Sequence, residues 1–130
     1  MSSLAIIASY SELRDAFNGF TKDPNMKLPA SAPDGNNELL HNGPIRISMN
    51  VHAGQVDEIK IHSDLDQTPG WDEAFEGFEQ GMGWSSINFF NAYQQVIKTN
   101  QPAVGEAHGI TATHTDPAPG NDLTVTFKRN

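Results

Sequence analysis

The chain has 130 residues, a formal net charge of −8 and no cysteine. A chain of this length is typical of one domain and buries enough surface to fold without a metal or a disulfide. The absence of cysteine excludes disulfide frameworks, zinc–thiolate sites and cysteine nucleophiles. The apolar run at residues 4–8 is too short for a signal sequence or a membrane span, so we expect a cytoplasmic protein that does not enter a membrane.

Residues 3–20 predict an amphipathic helix. Its apolar side chains recur at spacings of four, three, four and three: Ile6, Tyr10, Leu13, Phe17 and Phe20. The helix begins either at Ser2 or Ser3, or at Ser9 after an extended segment, because Ser9 and Glu12 match the capping-box pattern. The pattern leaves both starts open.

Residues 21–43 hold three prolines and two glycines and have no sustained hydrophobic period. We expect a long loop here. Loops of this length inside a compact domain are usually mobile or functional.

Residues 44–66 predict a β-hairpin that turns at residues 53–55, because apolar and polar side chains alternate along both arms. Neighbours across two paired strands share a face, so Ile47 should lie opposite Ile61, and Met49 opposite Ile59. The other face then collects the polar side chains of both arms: Arg46, Ser48, Asn50, His52, Glu58, Lys60 and His62.

Two helices rich in aromatic residues should follow. The first opens at Thr68 and Pro69 and ends at the Gly81 to Gly83 break, with one apolar stripe: Trp71, Phe75, Phe78 and Met82. The second begins at Ser85 or Ser86 and ends near Asn100, and its predicted apolar stripe is Ile87, Phe90, Tyr93 and Ile97, with Phe89 and Val96 beside it. Trp84, at the glycine break, is expected to be partly exposed.

Two more alternating arms, residues 109–115 and 123–128, predict a second hairpin joined by a loop at residues 116–122. The inward-facing residues should be Ile110, Ala112, Leu123, Val125 and Phe127. The predicted fold is therefore α+β, with one four-stranded, mostly antiparallel sheet made of two hairpins and helices packed on one face. We expect residues 1–130 to form a single domain.

Acidic residues are concentrated in residues 57–79, where eight acids and one base, Lys60, give a net charge of −7 (8 − 1 = 7): Asp57, Glu58, Asp64, Asp66, Asp72, Glu73, Glu76 and Glu79. Such a surface repels a phosphate backbone, so we do not expect nucleic-acid binding. It would attract a basic protein. The candidate binding residues are Asp72, Glu73, Glu76 and Glu79, with Arg46, Lys60 and Trp84.

The histidines supply the catalytic candidates. His62 and Asp64 are two residues apart on one strand, so both project from the outer face as an acid/base pair or metal ligands would. Arg46 beside His62 disfavours a cation, and we predict no metal and no cofactor. His108 and His114 share the parity of Ile110, which places them on the helix side of the sheet.

These patterns leave three hypotheses. The leading one is a non-enzymatic interaction module, such as an adaptor, a chaperone or an immunity-type inhibitor, that presents its acidic surface to a basic protein. The alternative is a small enzyme or ligand-binding domain with a pocket for a small apolar ligand between helices and sheet, walled by aromatic residues and with a histidine at its rim. The third is a homo-oligomer built on exposed sheet edges. The aromatic candidates for the pocket are Trp71, Phe75, Phe78, Trp84, Phe89, Phe90 and Tyr93.

Overall fold

The computed structural model describes residues 5–64, 69–115 and 122–130. Its elements follow one another as β1 (Ala8–Ser9), α1 (Tyr10–Phe20), β2 (Gly35–Asn42), β3 (Ile45–His52), β4 (Gln55–Ser63), α2 (Pro69–Glu79), α3 (Ile87–Thr99), β5 (Ala103–Ala107), β6 (Ile110–Thr115) and β7 (Leu123–Arg129). Helices and an antiparallel sheet thus share the fold, and the predicted α+β class is confirmed.

The sheet has the strand order β2-β3-β4-β7-β6-β5, with β1 paired to β4, and every pair is antiparallel. The two predicted hairpins form its four central strands. Their register is the predicted one, because Ile47 lies opposite Ile61 and Met49 opposite Ile59. The sheet has seven strands, however, and the prediction of four strands was wrong.

The sequence did not predict three of the strands. β2 and β5 lie at the two ends of the sheet, and β1 is a two-residue strand that pairs with β4. β2 occupies residues 35–42, inside the segment predicted to be a loop, and Leu40 is its one fully buried residue. An end strand needs little apolar surface, so its sequence carries almost no alternation. β5 is five residues long and has Gly105 at its centre, which weakens the strand pattern.

Two tight turns need a left-handed backbone. In the β3–β4 turn Ala53 has a φ of 49° and Gly54 a φ of 80°, and Gln55 already pairs with His52. In the β5–β6 turn His108 has a φ of 54° and Gly109 a φ of 76°. Two successive positive φ values are typical of type I′ hairpin turns. His108 is therefore an exposed turn residue.

The start of α1, which the sequence left open, lies at Tyr10. Ser9 is the N-cap, and its hydroxyl accepts a hydrogen bond from the Glu12 backbone N–H at 3.2 Å. Residues 8–9 are extended and pair with β4 as β1. The helix packs on α2, where the rings of Phe17 and Phe78 lie 4.7 Å apart.

Phe127 of β7 shows that α2 and α3 cover the same face of the sheet. Its ring centroid lies 5.4 Å from that of Phe75 and 6.3 Å from those of Phe78 and Phe89. Trp84 packs on the same ring at 5.8 Å and is 5% exposed, so its predicted partial exposure was wrong.

α3 is rotated relative to the predicted orientation. Its buried residues are Phe89, Ala92 and Val96, while Ile87 is 66% exposed and Phe90 is 54% exposed. The cause is β5, which lies against this helix: a Cβ at Gly105 would stand 2.6 Å from the Asn88 carbonyl oxygen. Since β5 was not predicted, the face that it contacts was not predicted either.

Among the described helices, none combines the length and the apolar composition needed to cross a bilayer.

Candidate functional site

A cleft of about 270 Å³ opens between α2 and α3. It is lined by four aromatic and three acidic residues: Trp71, Phe75, Phe90 and Tyr93, with Asp72, Glu76 and Glu79. At about 3.6 residues per turn, positions 72, 76 and 79 fall within roughly 60° of one another around α2. The acids therefore form one row along the helix, beside the aromatic stripe that packs on the sheet.

The aromatic wall of this cleft is a layer of stacked rings. The Trp71 ring lies 6.2 Å from the Phe75 ring at 22° and 6.2 Å from the Tyr93 ring at 17°. Trp71 is 1% exposed, whereas Phe90 is 54% exposed. Phe90 therefore borders the open side of the cleft, while the other three rings form its inner wall and pack against the core.

Glu79 is the most unusual acid of the cleft. It is 8% exposed, and its carboxylate has no hydrogen bond or salt bridge to any described residue. Burial, with the nearby Glu76 charge as a second cause, raises the pKa of Glu79 from 4.5 to about 7. At neutral pH this carboxyl group is therefore about half protonated.

The other three predicted binding acids on α2 divide into two groups. Asp72 and Glu76 line the cleft, and burial raises the pKa of Asp72 above its usual value. Glu73 faces away from the cleft and accepts hydrogen bonds from the backbone N–H groups of Lys22 (2.8 Å) and Asp23 (3.0 Å). Glu73 thus holds the segment after α1.

The remaining acids of the acidic segment are paired within the fold. Asp57 accepts a hydrogen bond from Asn50 at 2.8 Å, and Glu58 forms a salt bridge with Lys128 at 3.4 Å. Asp64 is paired with Arg46 and His62 in the cluster described below, and residue 66 lies outside the described residues. Within residues 57–79, the described acids without a side-chain hydrogen bond or salt bridge are therefore those that line the cleft: Asp72, Glu76 and Glu79.

The other predicted binding residues lie elsewhere. Arg46 and Lys60 are on the outer face of the sheet, where Lys60 is opposite Ser48 and Thr126. Trp84 belongs to the core. None of the three lines the cleft.

His114 lies directly beneath the aromatic wall, on the helix side of the sheet as its parity predicts. Its ring is 5.5 Å from Phe75, 6.1 Å from Tyr93 and 6.4 Å from Trp71. It is fully buried, and neither ring nitrogen has a hydrogen-bond partner. Burial lowers the pKa of His114 to about 4, so the ring is neutral at physiological pH.

A second cluster forms on the outer face, where His62 lies between a hydroxyl and a carboxylate. Its Nδ1 is 2.9 Å from Thr124 Oγ1, and its Nε2 is 3.3 Å from Asp64 Oδ1. Asp122 joins them, so three possible metal ligands have donor atoms within 4.8 Å of one another. Arg46 lies 3.8 Å from Asp64 Oδ2, and its positive charge opposes a cation at this point.

The histidine candidates are not brought together. His62 lies on the outer face, His114 in the core, and His108 in a turn, where its Nε2 is 3.2 Å from the Ser85 carbonyl oxygen. Sequence reasoning did not find Asp122, because its place beside Asp64 depends on the pairing of β7 with β4. No signal in the local sequence could have shown this.

No family model, curated protein or solved structure matches this chain.

Of the seven aromatic residues predicted as pocket candidates, four line the cleft. The other three, Phe78, Phe89 and Trp84, are buried around Phe127. The cleft is therefore the place where the acidic and the aromatic sequence signals meet, and its chemistry suits a cation with apolar surface.

Proposed function

We propose that the protein is a non-enzymatic binding module that takes a positively charged group of a basic partner into the cleft between α2 and α3. The observation that carries this proposal is Glu79, a residue that is only 8% exposed, lines the cleft beside aromatic rings and has no hydrogen bond or salt bridge from its side chain to any described residue. A buried charge without a partner is unfavourable, and an entering cation would remove this cost.

The lining of the cleft favours a cation over other ligands. Aromatic faces carry a negative quadrupole, so the rings and the carboxylates attract the same sign of charge. None of the chain's eight Lys and Arg side chains forms a salt bridge with Asp72, Glu76 or Glu79 in the described structure. The positive charge would therefore come from a partner.

The position of the cleft supports a basic protein as that partner. Asp72 is exposed and Glu76 half-buried, so both can attract a basic surface before contact. Phe90 offers apolar contact area at the same border. A volume of about 270 Å³ lies just below the usual range of pockets for small molecules, and a single lysine side chain suits it.

The alternative hypothesis, an enzyme with a histidine at the rim of the pocket, receives less support. His114 is the histidine that adjoins the cleft, and it lies behind the rings of Trp71, Phe75 and Tyr93, fully buried. A histidine in this position cannot reach a molecule held in the cleft to exchange a proton with it. The position of His114 therefore favours a binding function over a catalytic one.

Binding of a dye-labelled hexalysine peptide, followed by fluorescence anisotropy, tests this function. We expect wild-type protein to bind the peptide and to bind it more weakly when the ionic strength rises from about 0.02 M to about 0.3 M. Glu79→Gln should weaken binding about ten-fold or more, because it removes the buried charge. Glu38→Gln, which makes the same change at an exposed residue of β2, is the matched control. Equal binding by wild type and Glu79→Gln would contradict the proposal.

A further inference from the structure

The row of acids in the cleft is longer than one ammonium group requires. Asp72 and Glu76 are four residues apart on α2, and Glu76 and Glu79 are three apart. At about 1.5 Å per residue these separations are about 6.0 Å and 4.5 Å along the helix axis, so the row spans about 10.5 Å. A single compact cation can therefore contact only part of it.

We infer that the preferred occupant of the cleft is a linear aliphatic polyamine, with ammonium groups joined by chains of three or four methylene groups. This inference rests on the proposed function, since it requires that the cleft binds cations. An extended chain advances about 1.25 Å per bond, given single bonds of about 1.5 Å. Three- and four-carbon spacers thus place successive nitrogens about 5 Å and about 6 Å apart, which is close to the rises of about 4.5 Å and about 6.0 Å along the helix axis between Glu79 and Glu76 and between Glu76 and Asp72.

The aromatic residues match the remainder of such a chain. Trp71 and Phe75 lie beside the acidic row on α2, and Phe90 and Tyr93 face them from α3. Methylene groups between the nitrogens would contact these rings while the ammonium groups reach the carboxylates. The buried, unpaired Glu79 marks the inner end of the row, and the exposed Asp72 marks the outer end.

Other cations fit this arrangement less well. A divalent metal ion needs several oxygen ligands that converge on one point, whereas these acids are spread along the helix. A guanidinium group has five N–H donors in one plane, and the aromatic walls would leave some of them without an acceptor. A compact quaternary ammonium ion would contact one carboxylate and leave the rest of the row unpaired.

Titration calorimetry with amines of known length tests the inference. The probes are α,ω-diamines with two to eight carbons, the triamine N-(3-aminopropyl)-1,4-diaminobutane, butylamine and tetramethylammonium. We expect the three- and four-carbon diamines to bind about ten-fold more tightly than butylamine, and the triamine to bind more tightly again.

Substitutions along the row make the test specific. Asp72→Asn should weaken the binding of the triamine about ten-fold and leave the affinity for 1,3-diaminopropane unchanged, because the short diamine spans only Glu76 and Glu79. Glu79→Gln should weaken the binding of both ligands, and Glu38→Gln should leave both affinities unchanged. All of these substitutions nearly preserve side-chain shape, and circular dichroism verifies that each variant is folded.

Two results would overturn the inference: affinities that do not depend on chain length, or tighter binding of tetramethylammonium than of any diamine. If either occurs while hexalysine still binds in a Glu79-dependent manner, the polyamine assignment fails and the cation-binding function stands. If neither the amines nor hexalysine bind, both proposals fail.

Discussion

At the scale of single residues, two buried titratable side chains flank one layer of aromatic rings. Glu79 lies on the cleft side, and His114 lies on the sheet side. Burial disfavours the charged form of each, so the pKa of Glu79 is raised to about 7 and that of His114 is lowered to about 4. As the pH falls, Glu79 therefore makes the folded protein more stable and His114 makes it less stable.

Replacing Glu79 with Gln should stabilise the free protein at alkaline pH. The folded protein holds the Glu79 proton more tightly than the unfolded chain, so stability rises as the pH falls from about 7 to 4.5 and is lost above pH 7. Gln has no such dependence. At pH 8 we expect Glu79→Gln to be more stable than wild type by about 2 kcal/mol in urea unfolding, allowing for partial hydration through the cleft. At pH 5 this advantage should largely disappear.

The matched control for this substitution is again Glu38→Gln, for which we expect little change at either pH. If Glu79→Gln were less stable than wild type at pH 8 and kept the wild-type pH dependence, Glu79 would have an ionic partner in the fold. The interpretation of the cleft would then be wrong.

Replacing His114 with Leu should remove an acid-sensitive contribution to stability. The unfolded chain takes up the histidine proton below about pH 6.5, whereas the folded protein does so only near pH 4. Stability contributed by the neutral ring is thus complete above pH 6.5 and falls by about 3 kcal/mol as the pH drops to 4. Urea unfolding at pH 7 and pH 4.5 measures this loss.

This comparison is best made in the Glu79→Gln background, because Glu79 acts with opposite sign in an overlapping range of pH. There, His114→Leu should flatten the profile and be at least as stable at pH 7, since it removes two buried nitrogens that have no hydrogen-bond partner. An unchanged loss of stability in acid would show that another group is responsible.

At the scale of secondary-structure elements, strict alternation made the central hairpins predictable, whereas the end strands were not. Residues 45–52 bury every second side chain, so both the strand and its register follow from the sequence. β2 buries Leu40 alone, and β5 is interrupted by Gly105, so neither has a pattern to detect.

The candidate site was predictable in its residues but not in its shape. Acidic and aromatic residues of the first helix could be recognised individually, because each stripe has helical spacing. The cleft itself depends on the rotation of α3, which exposes Phe90 and places Tyr93 beside Trp71. That rotation is set by the contact of α3 with β5, through residues distant in sequence.

Substitution at Gly105 tests whether this contact positions α3. Gly105→Ala places a Cβ about 2.6 Å from the Asn88 carbonyl oxygen, so the helix has to move away from β5. We expect a loss of about 2 kcal/mol in urea unfolding. Gly19→Ala is the matched control: it lies in α1, meets nothing within 4 Å and should stabilise the protein by about 0.5 to 1 kcal/mol. Equal effects of the two substitutions would contradict a close α3–β5 contact.

At the scale of the whole molecule, the distribution of charge is more informative than its total. Several acids of the acidic segment are used inside the fold, by Asn50, Lys128, Arg46 and the backbone after α1. Within residues 57–79, the described acids without a side-chain hydrogen bond or salt bridge are Asp72, Glu76 and Glu79, which lie in one row along α2 at the cleft. Net charge alone would have suggested a diffuse acidic surface, whereas the fold places these three acids together in one cleft.

The homo-oligomer hypothesis stays a prediction. β2 and β5 are the end strands of the sheet, and α3 packs against β5. Exposed polar side chains on β2, such as Asn36, Glu38 and His41, are typical of strand edges that resist pairing with another chain. A molecular mass by light scattering above that of one chain would support association.

The most direct measurement of the central claim is the number of protons released when a cation binds. At pH 7 about half of the Glu79 carboxyl groups are protonated, and a bound ammonium group stabilises the carboxylate. Titration calorimetry of 1,3-diaminopropane or hexalysine in buffers of different ionisation enthalpy should therefore detect release of up to about half a proton near pH 7, and much less at pH 8.5. Glu79→Gln should release none, and Glu38→Gln should behave as wild type. Binding without proton release, or equal release by Glu79→Gln, would contradict a cation site built on Glu79.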